Sequence, residues 1–166
     1  MAKLYDLSKL AVLVVDDNKF MRQIVFQILH GLGIRQVAQA HNVDSALEVM
    51  TDSPTDFILS DLDMGAKSGL DLIKAIRQSD RPEMRMLPIV MVTGNATRKY
   101  VESARDAGVT EFIAKPLTAQ SLYVRIVDVI ERPRQFVKTK KYFGPDRRRK
   151  SDDSYDGPRR RADDRG

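Results

Sequence analysis

Asp16, Asp17, Asp61, Thr93 and Lys115 are spread over a hundred positions, yet each closes or directly follows a short apolar run. Asp16 and Asp17 follow LAVLVV (10–15), and Asp61 ends DFILSD (56–61). Thr93 ends PIVMVT (88–93), and Lys115 follows EFIA (111–114). If those runs are parallel strands of one sheet, three carboxylates, a hydroxyl and an ammonium meet at one rim. Carboxylates brought together repel and coexist around a cation, and an all-oxygen set suits Mg²⁺ or a similarly hard ion. One carboxylate could then act as nucleophile toward a phosphoryl group. Lys115 could neutralise one phosphoryl oxygen and Thr93 could hydrogen-bond another. Any one of these residues alone reads as a helix cap or a solvated loop acid. All five at successive strand ends point to a site.

The elements that must position them alternate along the chain. Strands at 10–15, 37–40, 56–61, 88–93 and 111–114 are separated by stretches of helical period. Residues 18–32 carry Phe20, Ile24, Ile28 and Leu32 at that spacing, and residues 43–51 form a short helix. Residues 69–78 turn Leu70, Ile73 and Ile76 inward. Residues 97–107 form a helix closed by Gly108, and 118–131 place Leu122, Ile126 and Ile130 on one face. Five short apolar strands with helices between them predict an α/β fold, a doubly wound five-stranded parallel sheet covered on both faces. In such sheets ligands bind beyond the carboxyl ends of the strands, which is where the five residues fall.

Composition bounds the rest. Of 166 residues, 42% are hydrophobic, enough for one packed core. No cysteine is present, which excludes disulfides and thiolate metal sites and fits a reducing compartment. The apolar run near the N-terminus is too short for a signal peptide or membrane span, so the expectation is a soluble cytoplasmic protein without membrane insertion. His30 and His41 read as surface residues. The net charge of +5 is unevenly spread. Residues 1–131 hold 15 Lys and Arg against 17 Asp and Glu, whereas residues 132–166 hold 13 against 6. The basic character belongs to the last 35 residues and suggests an anionic ligand there.

With VVDDN, LSDLDM, MVTGNA and FIAKPLT in order, residues 7–131 resemble the receiver domain of bacterial response regulators. The resemblance implies the CheY-like, flavodoxin-type strand order 2-1-3-4-5. It implies that Asp61 is the phosphoacceptor, fed by a histidine kinase or another phosphodonor. Asp16, Asp17, Asp61 and the backbone carbonyl of Asp63 would hold Mg²⁺. Thr93 and Phe112 match the paired switch residues, and Lys115 matches the phosphate-contacting lysine, followed by a cis Lys115-Pro116 junction. Phe112 also reads as a static core aromatic, and both readings stay open. Gly65 stands where many receivers have proline. No enzymatic output domain follows, so the resemblance implies a signalling adaptor. Its output would be the face made by the last two helices and the last strand.

The extension from 132 to 166 lacks core periodicity and is expected to be disordered without ligand. It carries an imperfect repeat, YFGPDRRR (142–149) and YDGPRRR (155–161). Arginine forks pair with phosphate and with the O6/N7 edge of guanine, and tyrosine and arginine planes stack on bases. Interleaved aspartates weaken attraction to a nucleic-acid backbone, which makes nucleic acid a poor fit, but suit the donor edge of guanine. RxxD pairs join Arg149 with Asp152, Arg160 with Asp163 and Arg161 with Asp164, and DDSYDG (152–157) matches the D-x-S-x-x-G pattern of PilZ domains. Receiver and extension together resemble the Cle class of CheY-like c-di-GMP effectors. That resemblance implies c-di-GMP bound by Arg147, Arg148, Arg149, Asp152, Ser154, Tyr155, Arg159, Arg160, Arg161 and Asp163. It also implies docking on a flagellar motor switch protein, with a role in motility and chemotaxis. A phosphorelay shuttle with an inert tail and a receiver with a nucleic-acid-binding tail are the alternatives.

Overall fold

The structure is a computed structural model and describes residues 5–94 and 97–147. Five strands form one parallel sheet in the order β2-β1-β3-β4-β5. They are β1 (Ala11–Val15), β2 (Gln36–Ala40), β3 (Phe57–Asp61), β4 (Ile89–Thr93) and β5 (Glu111–Ala114). The central strands β1 and β4 are buried throughout, as expected of strands covered on both faces. Alternate side chains feed two cores. Leu13, Val15, Ile58 and Met91 pack with α2 (Val43–Asp52), α3 (Gly69–Arg77) and α5 (Arg98–Ala107). Val12, Val14, Leu59 and Val90 pack with α1 (Lys19–Gly31) and α6 (Ala119–Glu131). Each large side chain fully buried this way contributes roughly 1.5–3 kcal/mol.

Local signals set the helix ends. The Asn18 side chain accepts from the Phe20 and Met21 N–H groups and starts α1. Capping boxes at Asn42–Ser45 and Thr118–Ser121 start α2 and α6. Gly108, at φ 106°, ends α5 in the left-handed conformation that favours glycine. The peptide between Lys115 and Pro116 is cis.

Several expectations need correction. α1 does not bury the Phe20–Ile24 stripe: Phe20 is 68% exposed, and the buried residues are Val25 and Leu29, with Ile28 and Leu32 at the core's margin. In α3 the buried apolar positions are Leu72, Ile73 and Ile76, with Leu70 at the margin. In α6 Val129 is buried and Ile130 is exposed. A one-turn helix, α4 (Pro82–Arg85), begins on a proline ahead of β4.

The extension departs most from expectation. β6 (Phe136–Lys138) and β7 (Phe143–Pro145) pair antiparallel, with Phe136 opposite Pro145 and Lys138 opposite Phe143. The expected lack of structure from residue 132 therefore fails across this hairpin. Its two phenylalanine rings lie 5.6 Å apart, and the Arg77 and Arg85 guanidinium groups stack on Phe136 and Phe143 at 4.9 and 5.1 Å. Arg148, Arg149, Asp152, Ser154, Tyr155, Arg159, Arg160, Arg161 and Asp163 lie outside the described residues.

Candidate functional site

The carboxyl ends of β1, β3, β4 and β5 deliver the rim. Asp16 follows β1 and is buried, Asp17 beside it is exposed, and Asp61 ends β3 with its side chain 12% exposed. One oxygen from each of the three lies within 4.8 Å of the others, close enough to share one metal ion. Asp63 is exposed in the loop after β3 and is not one of this close group. Thr93 is buried at the end of β4, and its carbonyl accepts from the Lys115 N–H at 2.8 Å. That bond ties the residue carrying the ammonium to the residue carrying the hydroxyl. Lys115 Nζ reaches Asp61 Oδ1 at 3.3 Å, and the Leu62 N–H donates to the same oxygen at 2.9 Å. Phe112 lies opposite Met91 on the neighbouring strand, half-buried against the core.

The electrostatics show crowded acids. Burial raises the Asp61 carboxyl above its ordinary range, more than the Lys115 charge lowers it. Burial likewise raises Asp16, opposed by the hydrogen bond from the Asn18 N–H, with Asp61 adding to the rise. A bound cation would relieve both, because it favours the charged carboxylates. The donor set, three carboxylates without sulfur or imidazole, fits a hard divalent ion.

Three supporting residues escape a reading of the strand ends. Asn18 both caps α1 and donates its N–H to Asp16 Oδ1 at 2.9 Å. Arg22 Nη1 donates to the Asp16 carbonyl at 2.7 Å, which ties the acidic loop to the first turn of α1. Gly69 starts α3 against β3, where any Cβ would collide with the Asp61 carbonyl and the Met91 thioether. Its N–H donates to the Leu62 carbonyl at 2.8 Å, fixing the loop that follows Asp61. Gly69 had a detectable signal, a small residue directly after the Ser68 cap, and so did Asn18, an N-cap type directly before a helical run.

Arg147 is the one expected ligand-binding residue of the extension among the described residues. It lies far from the rim in the fold: Nη1 pairs with Asp106 Oδ1 at 2.7 Å, and its guanidinium stacks on Tyr142 at 4.8 Å.

A rim of clustered aspartates facing a lysine, on a parallel sheet of order 2-1-3-4-5, defines a receiver domain. Residues 12–127 match the response regulator receiver domain family, and the chain belongs to it. It is similar to chemotaxis protein CheY of Pseudomonas aeruginosa, 36% identical over 121 residues, covering 73% of this chain and 96% of that protein. CheY-3 of Vibrio cholerae is 35% identical over 125 residues, covering 75% and 95%. The solved structure of Vibrio cholerae CheY4 superposes with a TM-score of 0.67 at 28% identity, covering 72% of this chain and 98% of that one. Among the described residues, no helix is long and apolar enough to cross a membrane.

Proposed function

We propose that the chain is a phosphorylation-controlled signalling adaptor with a second, nucleotide input. The observation that carries the first part is Lys115 Nζ 3.3 Å from Asp61 inside the three-aspartate cluster. Asp61 attacks the phosphorus of a phosphohistidine or small acyl phosphate. The new oxygen–phosphorus bond forms as the bond to the leaving group breaks, and a leaving imidazole takes up a proton. Asp16, Asp17, Asp61 and the Asp63 carbonyl would hold Mg²⁺, which when bound offsets the negative charge gathered there. Lys115 neutralises one phosphoryl oxygen, and the Thr93 hydroxyl donates to another. Phe112, half-buried beside them, is the side chain placed to respond by repacking.

The second input is c-di-GMP, bound by the arginines and aspartates of the extension. Its support is the repeated tyrosine-turn-arginine unit and the whole-chain resemblance to the Cle class, CleD in particular. The output is docking on the flagellar motor switch. Similarity to chemotaxis proteins supports this, as does the face of α5, β5 and α6, where Val124 and Ile130 are exposed. The chain acts as an adaptor in the cytoplasm.

Acetyl phosphate with Mg²⁺ should label the full chain and leave Asp61→Asn unlabelled; equal labelling of both overturns the phosphoacceptor. Calorimetry with c-di-GMP should give heat for the full chain and none for a chain ending at Arg147. Equal affinity in the shortened chain would remove residues 148–166 from the site. No heat in either leaves the phosphorelay shuttle. Salt-steep binding to DNA or RNA without preference for guanine leaves the nucleic-acid-binding tail.

A further inference from the structure

α5 spans the distance between the rim and the hairpin. It begins five residues after Thr93 and ends at Gly108, a ten-residue rod of roughly 15 Å. It is lightly anchored: Ala104 is its buried residue, with Tyr100 and Ala107 at the core's margin, whereas α3 buries five. A helix held this way can shift as a unit when its first turn is pulled.

Its far end is where the hairpin sits. A Cβ on Gly108 would come within 3.1 Å of Arg77 Cγ and 3.3 Å of the Phe143 carbonyl. A Cβ on Gly144 would come within 3.0 Å of Gly108 Cα. The two backbones therefore lie against each other, with Arg77 beside Gly108 and the Tyr142 hydroxyl 2.7 Å from the position of a Cβ on Gly144. Arg147 pairs with Asp106 in the last turn of α5. Arg134 joins Glu111 of β5 at 3.5 Å and donates to the Asp146 carbonyl at 3.4 Å. Beneath the hairpin, Arg77 is 4% exposed and donates to the carbonyls of Gly108, Arg85 and Leu87, while Phe136 covers its guanidinium.

We propose that residues 135–147 form a latch on the far end of α5 whose docking is energetically coupled to phosphorylation at the rim. The inference rests on the reading of Asp61 as the phosphoacceptor. When the Thr93 hydroxyl is drawn toward a phosphoryl oxygen, the start of α5 is displaced, and Asp106 and Gly108 move with it. A backbone-to-backbone seat tolerates little displacement, so the latch loosens or tightens. Coupling is reciprocal: a latch that responds to the rim changes the rim's affinity by the same factor.

Hydrogen exchange on the full chain in Mg²⁺, with and without beryllium fluoride as a phosphoryl mimic, tests this. The expected result is a joint change in residues 98–108 and 136–145 on the order of fivefold, absent in Asp61→Asn. Gly144→Val, which unseats the hairpin far from the rim, should shift beryllium fluoride affinity by a comparable factor. Arg147→Gln serves as the milder second variant if Gly144→Val does not fold by circular dichroism. A response confined to residues 57–64, with affinity unchanged in these variants, overturns the latch and leaves the rim reading intact. No response anywhere overturns the rim reading and the coupling with it.

Discussion

Arg77 is a buried cation whose described hydrogen bonds run to carbonyls and a hydroxyl rather than to a carboxylate. Burial lowers its pKa to about 10. Arg77→Met keeps the bulk but leaves the carbonyls of Gly108, Arg85 and Leu87 without this donor. Urea denaturation should show a loss of about 2–4 kcal/mol, and Arg77→Lys should recover little, because one ammonium cannot span that fork. The rim acids act in the opposite sense. Asp16 and Asp61 are raised, so the folded chain holds their protons more tightly than the unfolded chain does. Without divalent ions, stability from this source is present at low pH and is lost as pH rises through the raised values. Asp61→Asn should therefore stabilise the metal-free chain at pH 7, read as a higher midpoint in thermal melts. Millimolar Mg²⁺ should stabilise the unsubstituted chain and have less effect on the variant.

At the scale of elements, α1 separates exposure from hydrophobicity. Phe20→Ala should change stability by no more than about 0.5 kcal/mol, because the ring is already in water. Leu29→Ala should cost about 2–5 kcal/mol in the same denaturation series. α1 is apolar on two sides, with Phe20, Ile24 and Ile28 on one stripe and Met21, Val25 and Leu29 on the next. Periodicity finds such a helix but not the side that meets the sheet. The parallel strands were legible because burial on both faces demands unbroken apolar runs, and the rim followed from where those runs stop. Arg22 was not, because it acts on a backbone carbonyl that carries no sequence signature. The hairpin was hidden for a related reason. Its seat is two glycines, a buried arginine and two phenylalanines, without the alternation that announces a sheet.

For the molecule as a whole, the packed fold continues past the end of α6 into the hairpin. A chain ending at Glu131 uncovers Arg77 and removes Phe136 and Phe143 from their partners. Its urea midpoint should fall by the equivalent of about 2–4 kcal/mol. A chain ending at Arg147 should match the full chain within about 0.5 kcal/mol. Equal midpoints for all three would mean that the hairpin contributes nothing to the fold. Gly108 links this to how such a protein can arise. A left-handed glycine that closes a helix leaves a notch of bare backbone on the surface as a by-product of the helix ending there. An added segment settles into that notch with a glycine of its own, Gly144, and covers Arg77 and Arg85 with Phe136 and Phe143. A receiver with such a notch is thus open to acquiring an appendage by descent, and the acquired part starts out in contact with the helix that follows Thr93.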